Sequence, residues 1–472
     1  MFFICIQAIN DGPVISLPDG KILGKTIPIA TGKTNWTIYS YVGIPFAAPP
    51  IGELRFKPPK APSSWQGILD CRTNDRKCFQ VRINDDRETE DCLYMNIFTK
   101  TPPGAKPIQP VVVDIYGGGF NHGSANGKPD KARHFVRNGI VVVKFNYRVG
   151  PFGFLSTEDE VVPGNMGLKD QQLALQWVHK NIHLFGGDKN KVTLMGQSAR
   201  AASVTFHILS KKSAGLFRAA IAMSGSVLNT FSYQRDAAKT AYGLAKLTVP
   251  HFGKNKTTRQ LIKALQNVPA KDIDATDSTY DAFGPVVEVD HADAFISQPF
   301  YDLSTKAPAN KVPIFMGMTS EEAIGHGRDL ASLKKYAERY DNDPSFLEDQ
   351  CGCLNICNDE KVRRIVGEKI KKAYTNGSMA DDLSTVIKFD SEKRYTKAVI
   401  RFAQLQSQFS DVYFYVFSYH GKIGKNDVYV KGAGRIGHAE DAKYMYLDPF
   451  DASNKTRHPR RMSFSRTCKF HP

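Results

Sequence analysis

Lys191-Val192-Thr193-Leu194-Met195-Gly196-Gln197-Ser198-Ala199-Arg200 is the stretch on which the reading of this chain turns. Its first half is a short, apolar and β-branched run of the kind that forms a buried strand, and a helix is expected from Arg200 onward. Gly196-Gln197-Ser198-Ala199 must then reverse the chain sharply between the two. A serine on such a turn has its hydroxyl held at the edge of a sheet. The helix N-terminus beyond it offers N–H groups and positive potential to a developing negative charge. A Gly-x-Ser triplet is common by chance, so its weight comes from its place directly after a strand.

Working outward, similar runs recur at wide intervals. They are Pro110–Tyr116, Ile140–Asn146, Ala219–Met223, Val312–Met316 and Val412–Phe417. Short β-branched or aromatic runs between breakers are expected of strands buried on both faces of a parallel sheet. Between them lie helical stretches such as Leu168–Leu184, with Leu173, Leu175, Trp177 and Val178 at roughly helical spacing. The alternation predicts an α/β chain with a mostly parallel central sheet and helices on both faces. Lys239–Ser304 and Leu330–Ile400 are more polar and helical, and read as cap insertions over the C-terminal edge of the sheet.

Two further elements carry chemistry. Tyr116-Gly117-Gly118-Gly119-Phe120 also follows a predicted strand directly, and its glycines let the backbone approach a ligand closely. It lacks the Lys-Ser/Thr ending of a phosphate loop. Beside the serine turn it reads as an oxyanion hole, with the N–H groups of Gly118, Gly119 and Ala199 converging on a carbonyl oxygen. A serine hydroxyl is a poor nucleophile without a histidine base oriented by a carboxylate. Glu322, after the strand Val312–Met316, and His438, after the strand Val412–Phe417, stand in the order serine, acid, histidine. Glu321 is the runner-up for the acid.

Composition narrows the class. With 42% hydrophobic and 23% charged residues, the 472-residue chain can bury a large core. The net charge of +16 is spread out, apart from Arg457-His458-Pro459-Arg460-Arg461, and no nucleic-acid motif accompanies it. A solvated basic surface is therefore expected, with no nucleic-acid partner. No apolar run approaches the roughly 18 residues of a transmembrane segment. Residues 1–10 read as the remnant of a signal-peptide core, and Asn35, Asn255, Asn376 and Asn454 stand in glycosylation sequons, so a secreted protein or one of the endoplasmic reticulum lumen is expected. Cys351, Cys353 and Cys357 lack the spacing of a zinc site, and no metal or cofactor is implied.

With these blocks in place the chain resembles the type-B carboxylesterase/cholinesterase family over nearly its whole length. The resemblance is carried by Tyr41–Gly52 with Arg55-Phe56, by Glu90–Asn96, by Asn146–Gly150, Gly164-Asn165 and Asp170-Gln171, and by Phe185–Asp188 through Ser198. It implies a single α/β-hydrolase domain over residues 1–472 and hydrolysis of a small-molecule carboxylic ester through an acyl-enzyme. Ser198 would be the nucleophile, Glu322 the acid and His438 the base, with Ser226 close to them. It also implies a disulfide between Cys78 and Cys92, and buried ion pairs Arg55–Glu90 and Arg148–Asp170. Phe231 falls near the position that shapes the acyl pocket.

Three departures stand out. Arg200 occupies the place of the family's second glycine after the serine, where a side chain must find room or push the turn open. Residues 456–472 form a basic tail unlike the family, and the C-terminal part is expected to be truncated. The segment between Cys78 and Cys92 has no tryptophan to hold a quaternary ammonium, which argues against acetylcholine as substrate. The expectation is a serine ester hydrolase, a lipase among them. The alternative is an impaired or non-catalytic binding protein on the same fold, supported by Arg200 and the short C-terminus. The ester itself and the oligomeric state are not encoded in any motif.

Overall fold

A computed structural model describes residues 12–31, 34–80, 85–106, 108–126, 130–253, 255–273, 283–327, 329–348, 359–421, 423–424, 426–446 and 468–469. The expected signal remnant, the sequon at Asn454, the Cys351–Cys357 cluster and nearly all of the basic tail lie outside these residues. The frame is a ten-stranded sheet. In chain order its strands are β1 (Lys25–Thr31), β2 (Thr34–Pro45), β3 (Tyr94–Thr99), β4 (Gln109–Asp114), β5 (Val141–Phe145), β6 (Gly187–Gln197), β7 (Ala219–Met223), β8 (Ile314–Thr319), β9 (Val412–Phe417) and β10 (Cys468–Lys469). They lie side by side as β10-β9-β8-β7-β6-β4-β5-β3-β2-β1. The six strands from β5 to β9 in this row are parallel, as the apolar runs predict. The antiparallel strands β1, β2, β3 and β10 at the two flanks are additions that those runs do not announce.

Both faces of the parallel strands are covered, which is why their sequences show apolar runs and no alternation. Val111 and Val113 of β4 join the large core on one face, with α2 (Met166–Asn181), α3 (Ala199–Leu209) and α9 (Lys397–Gln406). Val112, Met195 and Met223 point to the other face, toward Phe135 of α1 (Asp130–Arg137) and Met445 of α10 (Glu440–Met445). The helix expected over Leu168–Leu184 runs from Met166 to Asn181 and closes with a 3-10 turn at Ile182–Phe185.

The first insertion supplies α4 (Ala237–Thr248) and α5 (Thr258–Asn267). A capping box between Thr257 and Gln260 starts α5. Its far end is closed by Arg55, whose Nη1 donates to the carbonyls of Leu265, Gln266 and Val268 while Nε and Nη2 pair with Glu90. The second insertion gives α6 (Leu330–Asn342), α7 (Glu360–Tyr374) and α8 (Leu383–Ser391), which runs on through a π-turn at Glu392–Thr396 into α9. Arg148 and Asp170 form the second expected ion pair, at 2.6 Å and almost fully buried. A disulfide joins Cys78 to Cys92. Among the described residues Cys71 is a free thiol, buried against the Gly43 carbonyl.

Candidate active site

The turn between β6 and α3 is as tight as its sequence requires. Ser198 sits at φ 64°, ψ −130°, a conformation costly for a residue with a side chain, and its N–H donates to the Met223 carbonyl of the neighbouring strand. Gly196 is needed because a Cβ there would lie 2.5 Å from the carbonyl of Arg200, on the first turn of α3. Gly225 is needed because a Cβ would lie 2.3 Å from the Ser198 carbonyl, so the chain leaving β7 can pass right against the turn.

The glycine run lies alongside. Gly118 and Gly119 have φ of 140° and 61°, and Gly118 accepts from the N–H groups of Asn121 and His122 to close a small loop. Among the described residues, the N–H groups of Gly118, Gly119 and Ala199 are engaged by no backbone carbonyl in the turns and loops. Free donors at a helix start and a glycine turn are what a developing oxyanion needs.

Glu322 and His438, 116 positions apart, are brought together by β8 and β9 lying next to each other. The Glu322 carboxylate is fully buried, accepts the Thr319 N–H at 2.8 Å through Oε1, and takes the His438 Nδ1–H at 2.6 Å through Oε2. Burial alone would raise its pKa. The hydrogen bond and charge of His438 and the Thr319 N–H outweigh burial, and the carboxyl is held below its ordinary value. With Nδ1 donating, Nε2 of His438 is an acceptor, and it faces the Gln197 side-chain amide at 3.0 Å. The basic edge of the imidazole is thus placed at the residue next to Ser198. The ring packs at a tilt against Tyr395 at 4.4 Å, and Tyr395 in turn meets Phe231 at 5.7 Å, so the residue expected near the acyl pocket lies two rings from the histidine.

Other expected residues take different places. Glu321 turns away to Ser320 and the Ile436 N–H. The Ser226 hydroxyl donates to Asn229 Oδ1 and the Ala398 carbonyl. The serine beside Glu322 is Ser224, at the end of β7, whose hydroxyl favours the ionised carboxylate without making a well-aligned hydrogen bond. Gln197 and Tyr395 were not singled out from the sequence. Gln197 stands inside the quoted motif and could have been, whereas nothing in the polar helical insertion distinguishes Tyr395. Arg200 does not push the turn open: its side chain runs across Gly117 toward Asp114. A cavity of about 750 Å³ lined by Gly43, Trp65, Asn74 and Tyr94 includes none of these residues.

A mostly parallel sheet whose strand ends carry a serine turn, a glutamate and a histidine in that order defines an α/β-hydrolase. Within that class the chain belongs to the carboxylesterase family, whose profile matches residues 11–467. A carboxylic ester hydrolase of Bombus ignitus is 36% identical over 87% of this chain and 76% of its own length. Venom carboxylesterase-6 of Apis mellifera is 33% identical over 89% of this chain and 77% of its own. The crystal structure of juvenile hormone esterase from Manduca sexta, with OTFP covalently attached, superposes with a TM-score of 0.78. It covers 95% of this chain and 87% of that one at 27% identity.

Proposed function

We propose that this protein is a serine carboxylic-ester hydrolase working through an acyl-enzyme. Ser198 Oγ attacks the ester carbonyl carbon while His438 Nε2 accepts its proton, and the oxygen that becomes negative is received by the N–H groups of Gly118, Gly119 and Ala199. The alcohol leaves with the proton from His438. Water, deprotonated by the same nitrogen, then attacks the acyl group and frees the acid and Ser198. Glu322 stays ionised and steadies the imidazolium.

The observation that carries this reading is the placement of His438, with Nδ1 bound to the buried Glu322 at 2.6 Å and Nε2 turned to the residue adjoining Ser198. The covalently attached OTFP of the Manduca sexta relative is in keeping with a nucleophilic step. Arg200 spoke for a non-catalytic binding protein, but its bulk is led away from the turn across Gly117. Among the described residues no helix is long and apolar enough to cross a membrane. Asn35, Asn255 and Asn376 are exposed, which fits a secreted glycoprotein. Fluorophosphonate labelling of the purified protein tests the mechanism: mass spectrometry should find the adduct on Ser198, and an intact protein that stays unlabelled refutes it.

A further inference from the structure

Three segments of the site meet at one carboxylate on the α1 and α10 side of the sheet. Asp114, the last residue of β4, leads through Ile115 and Tyr116 into the glycine run. Its side chain is only 4% exposed. It accepts the Tyr446 hydroxyl at 2.8 Å, pairs with Lys144 of β5 at 3.0 Å, and faces the Arg200 guanidinium at 4.0 Å. Tyr446 follows α10, the helix that begins just after His438, and Arg200 lies just after Ser198. One buried acid therefore touches the chain beyond the serine and the chain beyond the histidine, and itself leads into the glycine run.

The arginine stem is packed as tightly as its charge is placed. A Cβ on Gly117 would come 2.7 Å from Arg200 Nε and 3.0 Å from its Cγ. Nε itself is buried with no hydrogen-bond partner. At 4.0 Å, with the Arg200 side chain 24% exposed, the ion pair contributes little by itself because solvent screens it. The larger effect is steric: the stem is the floor on which Gly117 rests, and Asp114 keeps that floor in line with Tyr446.

We propose that Arg200 is a positioning residue, a strut that joins the serine turn, the glycine run and the histidine segment through Asp114. It sustains ester hydrolysis where a large residue at this point of the turn would be expected to hinder it. The inference rests on the proposed function for its kinetic half only. Glycine at position 200 leaves the space under Gly117 empty, and the N–H groups of Gly118 and Gly119 lose their aim at the transition state.

The test pairs hydrogen–deuterium exchange with steady-state hydrolysis of a p-nitrophenyl ester. In Arg200→Gly, peptides spanning residues 115–123 should exchange faster than in the wild type. The kcat should fall by about 10- to 100-fold with KM within about threefold, the pattern of a group that acts only in the transition state. Arg200→Lys, which keeps a stem over Gly117, should recover most of the loss. Tyr446→Phe should give a smaller loss of the same kind and add little in the Arg200→Gly background. Should Arg200→Gly fail to fold, Tyr446→Phe carries the same two readouts. Unchanged exchange refutes the strut, whatever the activity. Faster exchange with unchanged or raised kcat refutes its part in hydrolysis. Full activity in Ser198→Ala would instead refute the esterase mechanism and leave the exchange result to decide the strut.

Discussion

His207, on the helix that begins at the serine turn, makes the stability of this protein sensitive to mild acid. It is wholly buried, with Nδ1 2.7 Å from the Ser213 hydroxyl and Nε2 3.1 Å from Gln171 Oε1. These partners suit a neutral ring, Nε2–H donating to the amide oxygen and Nδ1 accepting from the hydroxyl. Burial pushes the pKa down from 6.5 to about 3. The folded value lies below the unfolded one, so the unfolded chain binds the proton first as pH falls. Stability is intact above 6.5 and is lost through the window from 6.5 down to about 3. At pH 5 the unfolded imidazole is largely protonated and the buried one is not, which lowers stability by about 2 kcal/mol. His207→Gln keeps a donor toward Gln171 but cannot titrate. Urea unfolding of both proteins at pH 7 and pH 5 gives the comparison. Groups common to the two cancel, and the wild type should lose about 2 kcal/mol more than the variant. Equal losses would show that His207 charges in the folded state, and the argument from burial would fail.

Two more predictions concern the site and the frame around it. Glu322→Gln should lower kcat by about 10⁴ with little change in KM, since a neutral amide neither fixes the His438 tautomer nor stabilises its cation. A loss below tenfold, measured on the p-nitrophenyl ester, would remove Glu322 from the mechanism. Replacing Cys78 and Cys92 together by serine should cost about 3 kcal/mol in urea unfolding, from the chain entropy released to a loop of about 15 residues. A double variant as stable as the wild type would refute that estimate.

The central strands were legible because each is buried on both faces, and that double burial writes itself locally as an apolar run such as Val111–Val113. The same local logic marked Gly196–Ala199 as a turn, and its φ of 64° at Ser198 is the strain such a turn demands. Glu322 is legible because it stands three residues past the end of β8, and His438 because it lies in the loop that follows the next strand, completing the order serine, acid, histidine. The antiparallel β1 and β2 escaped because their mixed burial leaves no continuous apolar run, and β3, though buried from Met95 to Thr99, because the polar Asn96 breaks its run. By itself, then, the sequence determined the strand-turn-helix at Ser198, the parallel core and the chemical types available at the strand ends, all of which follow from short-range pattern. Only the tertiary structure decided which serine lies by Glu322, that Gln197 and Tyr395 frame His438, and where the side chain of Arg200 goes. Those outcomes depend on the order of strands in the sheet and on the space left between distant segments, and no local pattern encodes either.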